Sequence, residues 1–303
     1  MVSAYDELPR TPANFVALSP LRYLERAAYI YPHQNAIIHG SRQITWHETY
    51  LRCCQFAHQL QNLGISKNDT VSVLLPNVPA MLEAHFAVPM SGAVLNTLNT
   101  RLDAKTLAFM LDHAESKVLL VDPEFAALAQ EALQMVNHEI YVIDVSDAEY
   151  EHAANALSIG QIEYETWLAA GDPNFEWHLP QDEWDAISLN YTSGTTGKPK
   201  GAMLSYKNIQ SNAVACMQHL RVKHGGIKMV CYLPMFHGFT LTVTLILPII
   251  TNSGVVIIRS IATKGDFANL LKQVLVKRIP YFVGVPDVYS ALSRAKLPWY
   301  FHM

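Results

Sequence analysis

YTSGTTGKPKG, residues Tyr191 to Gly201, sets three glycines, three threonines, a serine and two lysines between two apolar runs. Before it stands AISLNY, which reads as a buried strand, and after it GAML, which reads as a short one. Gly194, Gly197 and Gly201 let the backbone approach a ligand closely. Successive N–H groups in such a turn form an anion-binding nest. Thr192, Ser193, Thr195 and Thr196 add hydroxyls, and Lys198 and Lys200 add charge. Hydrogen bonds to charged groups contribute about 1.5–3 kcal/mol each, so the chemistry that fits is a grip on a polyphosphate. Three other loops fail on the letters. The spacing G-x-x-x-x-G-K-[ST] is absent, because Gly194 and Gly197 are too close and Pro199 follows Lys198. A nucleophile elbow needs a glycine where Tyr191 stands. The dinucleotide pattern G-x-G-x-x-G is missing.

Outward from this loop, strands and helices alternate. NAIIHGSRQIT predicts a hairpin turning at Gly40-Ser41. Thr45 and Glu48 form a capping-box pattern, opening a helix that runs to about Leu63 and stops at Gly64. TVSVLL, AVLNTL, KVLLV and IYVI predict strands. Between them lie helices from about Val78 to Ser91, over AKTLAFMLDH capped by Asp103, and over EFAALAQEALQMV. Residues Ser146 to Asp185 read as a polar connection with one short helix. Beyond the loop come a helix from about Lys207 to Leu220, strand KMVCYL, a helix after Phe236 and strand GVVIIR. Helix GDFANLLKQVLVKR, strand YFVGV and helix PDVYSALSRA follow, with Pro286 in the first turn. Repeated βα units imply an α/β fold with largely parallel sheets packed by helices.

The 303 residues are 50% hydrophobic and 16% charged, with a formal net charge of -4. That suffices for a large core and excludes disorder as the ground state. Without a basic tract, nucleic-acid binding through phosphate neutralisation is disfavoured. The start lacks the basic and apolar regions of a signal peptide. The most apolar run, FTLTVTLILPIITNSGVVII, is broken by Pro248, Asn252, Ser253 and Gly254. It falls short of the ~20 residues a spanning helix needs. A cytoplasmic location is expected, with no transmembrane segment; transient contact with a membrane surface fits a fatty substrate. Cys53, Cys54, Cys216 and Cys231 form no C-x-x-C pair and read as core thiols. His85, His113 and His138 lack metal-ligand spacing and read as structural or exposed. Oligomeric state is not legible.

The loop, with its neighbours, resembles the phosphate-binding signature of the acyl-adenylate-forming (AMP-binding) superfamily, which includes acyl-CoA synthetases, luciferases and peptide-synthetase adenylation domains. ITWHETYLRC, GAVLNTLNTRL, YLPMFHGF and VGVPDVYSAL resemble other segments of that family, so the resemblance covers nearly the whole chain. It implies the N-terminal domain of the adenylate-forming fold. The implied reaction has two steps: a carboxylate attacks the α-phosphorus of ATP to give acyl-AMP and pyrophosphate, then coenzyme A takes the acyl group and releases AMP. By position, Thr192, Ser193, Gly194, Thr195, Thr196, Gly197, Lys198 and Lys200 would hold phosphates, with Thr195 and Thr196 near Mg²⁺. His237 would sit beside the carboxylate and α-phosphate as the catalytic candidate. Phe236, Gly284, Val285 and Pro286 would line the substrate side. A satisfied structural histidine and a core phenylalanine are the plainer readings of His237 and Phe236.

The resemblance also implies parts that these 303 residues lack: a Tyr-Gly-x-Thr-Glu segment, a ribose-binding aspartate, a hinge and a C-terminal domain with a catalytic lysine. The expected organisation is an incomplete N-terminal AMP-binding domain over 1–303, with subregions about 1–180 and 185–303 and no lid domain. Such a chain is expected to be inactive alone. YLERAAYIYP and DEWDAISLNYTSGTTGKPKG are similar to the branch acting on short- and medium-chain acids. Where that branch carries a His-His pair and Cys-Asn-Gly-Trp, this chain has Ser205-Tyr206 and Gly238-Phe239-Thr240-Leu241. The latter resembles fatty-acid ligases with longer substrates, with Phe239, Leu241 and Val243 as an alkyl wall. Two other readings stay open: a ligase loading a carrier protein, and a non-catalytic product that binds nucleotide or acyl chain weakly.

Overall fold

The computed structural model describes residues 7, 9–150, 157–192, 199–222, 228–259 and 264–294. Its first elements are helix α1 (Leu21–Ile30) and the hairpin β1 (Asn35–His39) and β2 (Arg42–Thr45). Helix α2 (Trp46–Asn62) starts at the expected capping box. Thr45 accepts from the Glu48 N–H, and the Glu48 carboxylate accepts from the Thr45 N–H at 2.8 Å. It stops where Gly64 takes φ +77°, a left-handed turn that side chains rarely adopt.

Three βα units follow in sequence: β3 (Thr70–Leu74), α3 (Pro79–Met90), β4 (Val94–Thr97), α4 (Ala104–His113), β5 (Ser116–Val121), α5 (Ala126–Leu133) and β6 (Tyr141–Asp144). A two-residue strand β7 (Ile162–Glu163), which its polar surroundings hid, precedes the short helix α6 (Tyr164–Ala169). Next come β8 (Ala186–Thr192), β9 (Lys200–Ser205), α7 (Tyr206–Leu220) and β10 (Lys228–Cys231). After Phe236 the expected single helix is three pieces: α8 (Gly238–Thr240), a π-helical turn (Leu241–Ile246) and α9 (Leu247–Thr251). The chain then gives β11 (Gly254–Ile257), α10 (Lys264–Val276) and α11 (Pro286–Arg294). The expected strand YFVGV is reduced to one bridge, Met229 with Tyr281.

Two sheets result, ordered β10-β11-β1-β2 and β7-β6-β5-β3-β4-β8-β9. Pairing is parallel except at β1–β2 and β8–β9. Both sheets draw strands from either side of residues 180–185. Alternating side chains assign the layers. Val73 packs in the largest core cluster with α2 and α3, while Leu74 packs outward with α4 and α5. Ile37 and Val255 of the smaller sheet face the same large cluster, while Ile38 and Val256 meet Leu270 and Val288 on α10 and α11. The order is therefore helices, large sheet, helices, small sheet, helices. Every residue of α3 is buried, which explains its lack of a polar face.

This winding places the site. α3 leaves β3 on the inner face and α4 leaves β4 on the outer face. Adjacent parallel strands whose connections part to opposite faces open a crevice at their carboxyl ends.

Candidate functional site

Thr97 ends β4, Asn77 follows β3, and Asn190 lies near the carboxyl end of β8. All three side chains hold the irregular segment after β10. Asn77 Nδ2 donates to the Leu233 and Ile258 carbonyls at 3.0 and 3.1 Å, and its Oδ1 accepts from the Met235 N–H at 2.9 Å. Thr97 Oγ1 donates to the Phe236 carbonyl at 2.8 Å. Asn190 Nδ2 reaches Thr97 Oγ1 at 2.9 Å and the same carbonyl at 3.3 Å. Fully buried His85 on α3 donates from Nε2 to the Met235 carbonyl at 3.2 Å. Burial pushes its imidazole down to about 4, against the carbonyl's opposing pull, so it is neutral near pH 7. Buried backbone outside regular structure needs such partners. Together these four side chains pin Leu233 to Phe236 over the β3–β4 crevice.

His237 follows as an exposed corner. It caps α8, with Nδ1 accepting from the Phe239 N–H at 3.2 Å. Nδ1 is therefore the acceptor nitrogen, and Nε2 has no partner among the described residues. Phe236 is half-buried, packed against the core.

The loop motif starts from the same end of β8. The last rung of the β8–β9 pair joins Thr192 to Lys200, both exposed. Ser193, Gly194, Thr195, Thr196, Gly197 and Lys198 lie outside the described residues. Tyr191 is fixed by a 2.7 Å hydrogen bond between its hydroxyl and His113 Nδ1, in the last turn of α4. Burial pushes the Tyr191 phenol up to about 12, which keeps it protonated.

Gly284, Val285 and Pro286 sit on the smaller sheet's side. A Cβ at Gly284 would come 2.4 Å from the Tyr232 hydroxyl, so any larger residue requires that ring to shift. Tyr232 stacks on Phe282 at 5.1 Å. Val285 is exposed, and Pro286 opens α11. The bonds that dock Phe236 do not include this segment. Thr192 and Lys200 pair at the carboxyl end of β8, the strand whose Asn190 binds the Phe236 carbonyl, while Gly284 packs against Tyr232.

Thr97, Asn190 and Asn77 were not foreseen. Their signal is a polar residue at the carboxyl end of an otherwise buried strand. His138 is structural, with Nε2 on the Ser116 carbonyl at 2.9 Å. The four cysteines are free, with Cys216 partly exposed and the others buried. Among the described residues no group of three His, Cys, Asp or Glu side chains could hold a metal ion. Thr195 and Thr196 fall outside the described residues. No helix among them is long and apolar enough to cross a membrane.

Known proteins share this fold. The chain superposes on the anthranilate CoA ligase AuaEII, crystallised with anthranoyl-AMP, with a TM-score of 0.80 at 21% identity. The match covers 97% of this chain and 54% of that one. The N-terminal domain of FACL13 from Mycobacterium tuberculosis gives 0.78 at 21%, covering 92% and 65%. In sequence, the chain is 41% identical over 301 residues to the acetate–CoA ligase CCL3 of Humulus lupulus. It is 39% identical over 299 residues to the peroxisomal acetate/butyrate–CoA ligase AAE7 of Arabidopsis thaliana. Each match covers 96% of this chain and 52% of the relative, so the chain spans about half the length of the curated relatives it matches. Residues 24–301 match the AMP-binding enzyme family, and this chain belongs to that family.

Proposed function

We propose that the chain forms the nucleotide- and acid-binding part of an acid–CoA ligase. In this reading a carboxylate oxygen of an alkyl acid attacks the α-phosphorus of ATP. The bond to pyrophosphate breaks and acyl-AMP forms. The thiol sulfur of coenzyme A then attacks the acyl carbon, loses its proton and displaces AMP. The observation that carries the reading is the docking of Phe236 onto Thr97 and Asn190. It holds His237, with Nε2 unengaged, at the strand end from which the phosphate motif leaves.

The roles follow from charge. Lys198 and Lys200, with the hydroxyls and N–H groups of Thr192 to Gly197, bind the β- and γ-phosphates and stabilise charge developing on the leaving group. His237 Nε2 contacts the carboxylate and α-phosphate. Mg²⁺ would supply further neutralisation of the phosphates when bound. Phe236 covers the acid, and Gly284, Val285 and Pro286 bound the far side. Because the chain spans about half of its relatives' length, the 303 residues alone are expected to bind ligands without turning over.

Calorimetric titration with AMP and with a non-hydrolysable acyl-adenylate tests this. Wild-type chain binds the acyl-adenylate more tightly than AMP, and His237→Ala loses about ten-fold or more of that affinity, the equivalent of one charged hydrogen bond. Equal affinity of wild type and variant removes His237 from the site.

A further inference from the structure

Between α6 and β8 the chain runs over α2 without joining either sheet. It enters at Gly171, where a Cβ would come 2.4 Å from the Gln55 carbonyl of α2. It leaves through ion pairs of Asp185 with Lys67 at 2.7 Å and of Glu183 with Lys207 at 2.6 Å. Between these anchors exposure alternates. Pro173, Phe175, Trp177 and Leu179 are half-buried, while Asn174, Glu176 and His178 are exposed. A period of two marks extended backbone. Phe175 and Trp177 pack on the core, and Trp177 Nε1 donates to the Tyr50 hydroxyl at 3.0 Å. Yet among the described residues no hydrogen bond engages the backbone of residues 176–181.

A cavity lies on either flank of this strap. One of ≈ 430 Å³ separates it from α1 and α2, and one of ≈ 310 Å³ separates it from the end of α3 and the start of α7. The two share Phe175 to His178 and no other residue. In an extended chain the N–H and C=O of one residue point to one flank and those of the next residue to the other. Both cavities therefore face unpaired backbone groups, the template on which a further strand forms. Their charges differ. The smaller cavity holds Lys67, already paired with Asp185. The larger holds Glu25 and Glu176, with His178 and without a lysine or arginine, and neither carboxylate has an ion pair among the described residues. Its apolar lining includes Tyr50, Leu51 and Trp177.

We propose that residues 174–179 are a docking edge for an extended peptide in which basic and apolar residues alternate. The peptide adds beside the strap in the larger cavity and pairs with its backbone. Its apolar side chains lie on Tyr50, Leu51 and Trp177, and its cations meet Glu25 and Glu176. Six residues span roughly 20 Å at ~3.3 Å each, so the matching segment is about six residues long. Lys67 precedes β3 and Ala186 opens β8, so the strap sits at the strand ends opposite His237. The inference does not rest on the ligase reading, and an occupied edge leaves the affinity for AMP unchanged.

The test titrates the full 303-residue chain into a fluorescein-labelled peptide, Lys-Val-Lys-Val-Lys-Val, and follows anisotropy and amide exchange. The peptide binds and slows exchange at residues 174–179. A peptide with glutamate in place of lysine binds about ten-fold or more weakly, because like charges meet. The lysine peptide with every amide N-methylated keeps its charge and loses about ten-fold or more, because the strand pairing is gone. Glu25→Gln with Glu176→Gln weakens the lysine peptide about three- to ten-fold, and the urea midpoint stays in place because both side chains are exposed. Equal binding of the methylated peptide overturns strand addition. Equal binding of the glutamate peptide, or an unchanged affinity in the double variant, overturns the charge preference. Absence of binding overturns the site. Concentration-dependent dimers that protect the same amides without peptide overturn it in favour of a second copy of this chain.

Discussion

The seven-stranded sheet collects β3 to β9 from one nearly continuous run, Thr70 to Ser205, whereas the four-stranded sheet joins the hairpin ending at Thr45 to strands that begin at Lys228. The first sheet grows mostly by short crossovers, with one longer closure where β4 pairs with β8. The second must close a longer loop still, which costs more chain entropy. Their charged clusters differ in the same way. Arg52 binds Glu83 and Glu165 in bidentate fashion among α2, α3 and α6, with Tyr164 donating to Glu83 at 2.6 Å. Arg259, just after β11, reaches Asp122 and Glu124 beyond β5 and Asp147 beyond β6. His39 of β1 also bonds Asp147, at 3.0 Å. One cluster secures helices within a layer; the other ties sheet to sheet.

Removing each arginine separates the two roles. Breaking a buried pair by deleting one partner costs about 3–5 kcal/mol. Arg259→Met strands fully buried Asp122 and nearly buried Asp147. It is expected to lower stability by that amount in urea unfolding, with amide exchange rising first in β1, β10 and β11. Arg52→Met costs a similar or smaller amount, because Tyr164 still satisfies one Glu83 oxygen, and its exchange rises in α2, α3 and α6. Indistinguishable exchange patterns would erase the distinction between the clusters.

Acid sharpens it next. Burial pushes the Asp147 carboxyl up, but the bonds and charges of His39 and Arg259 overcome this and hold it at about 2, below its ordinary 3.8. A depressed carboxylate stabilises the fold above its unfolded value and loses that contribution as pH falls through the folded one. About 2 kcal/mol should therefore disappear between about pH 4 and pH 2. Asp147→Asn should flatten the stability profile in that window; an unchanged acid limb contradicts the coupling.

The smallest effect belongs to a purely local feature. Thr45→Ala removes the α2 cap and costs about 1 kcal/mol, read from the shift in urea midpoint. Because the cap serves a helix packed between the sheets, its loss should raise exchange in α2 without separating the sheets.

Much of this was legible as periodicity and punctuation. The Thr45–Glu48 box, the Asp103 cap and the Gly64 stop are chemistry within a few residues, so they appear in the letters. YFVGV misled because β-rich composition predicts a strand without supplying a partner, and here only Tyr281 finds one. The π-helical turn was hidden inside an apolar run that fits any buried helix. At the site, the motif gave Thr192 and Lys200, and the resemblance gave His237 and Phe236. Neither named Thr97, Asn77 or Asn190, which lie far from Phe236 in sequence and whose polar character at strand ends does not say which distant backbone they hold.

The sequence by itself determined most of the elements and the family resemblance, because caps, turns and alternating apolar residues act over short range. Tertiary structure alone decided that β1 pairs with β11, that Phe236 docks on Thr97 and Asn190, and that Arg259 joins the sheets. Each of these needs residues distant along the chain to satisfy one another's buried hydrogen bonds and charges, and only the folded backbone brings them within reach.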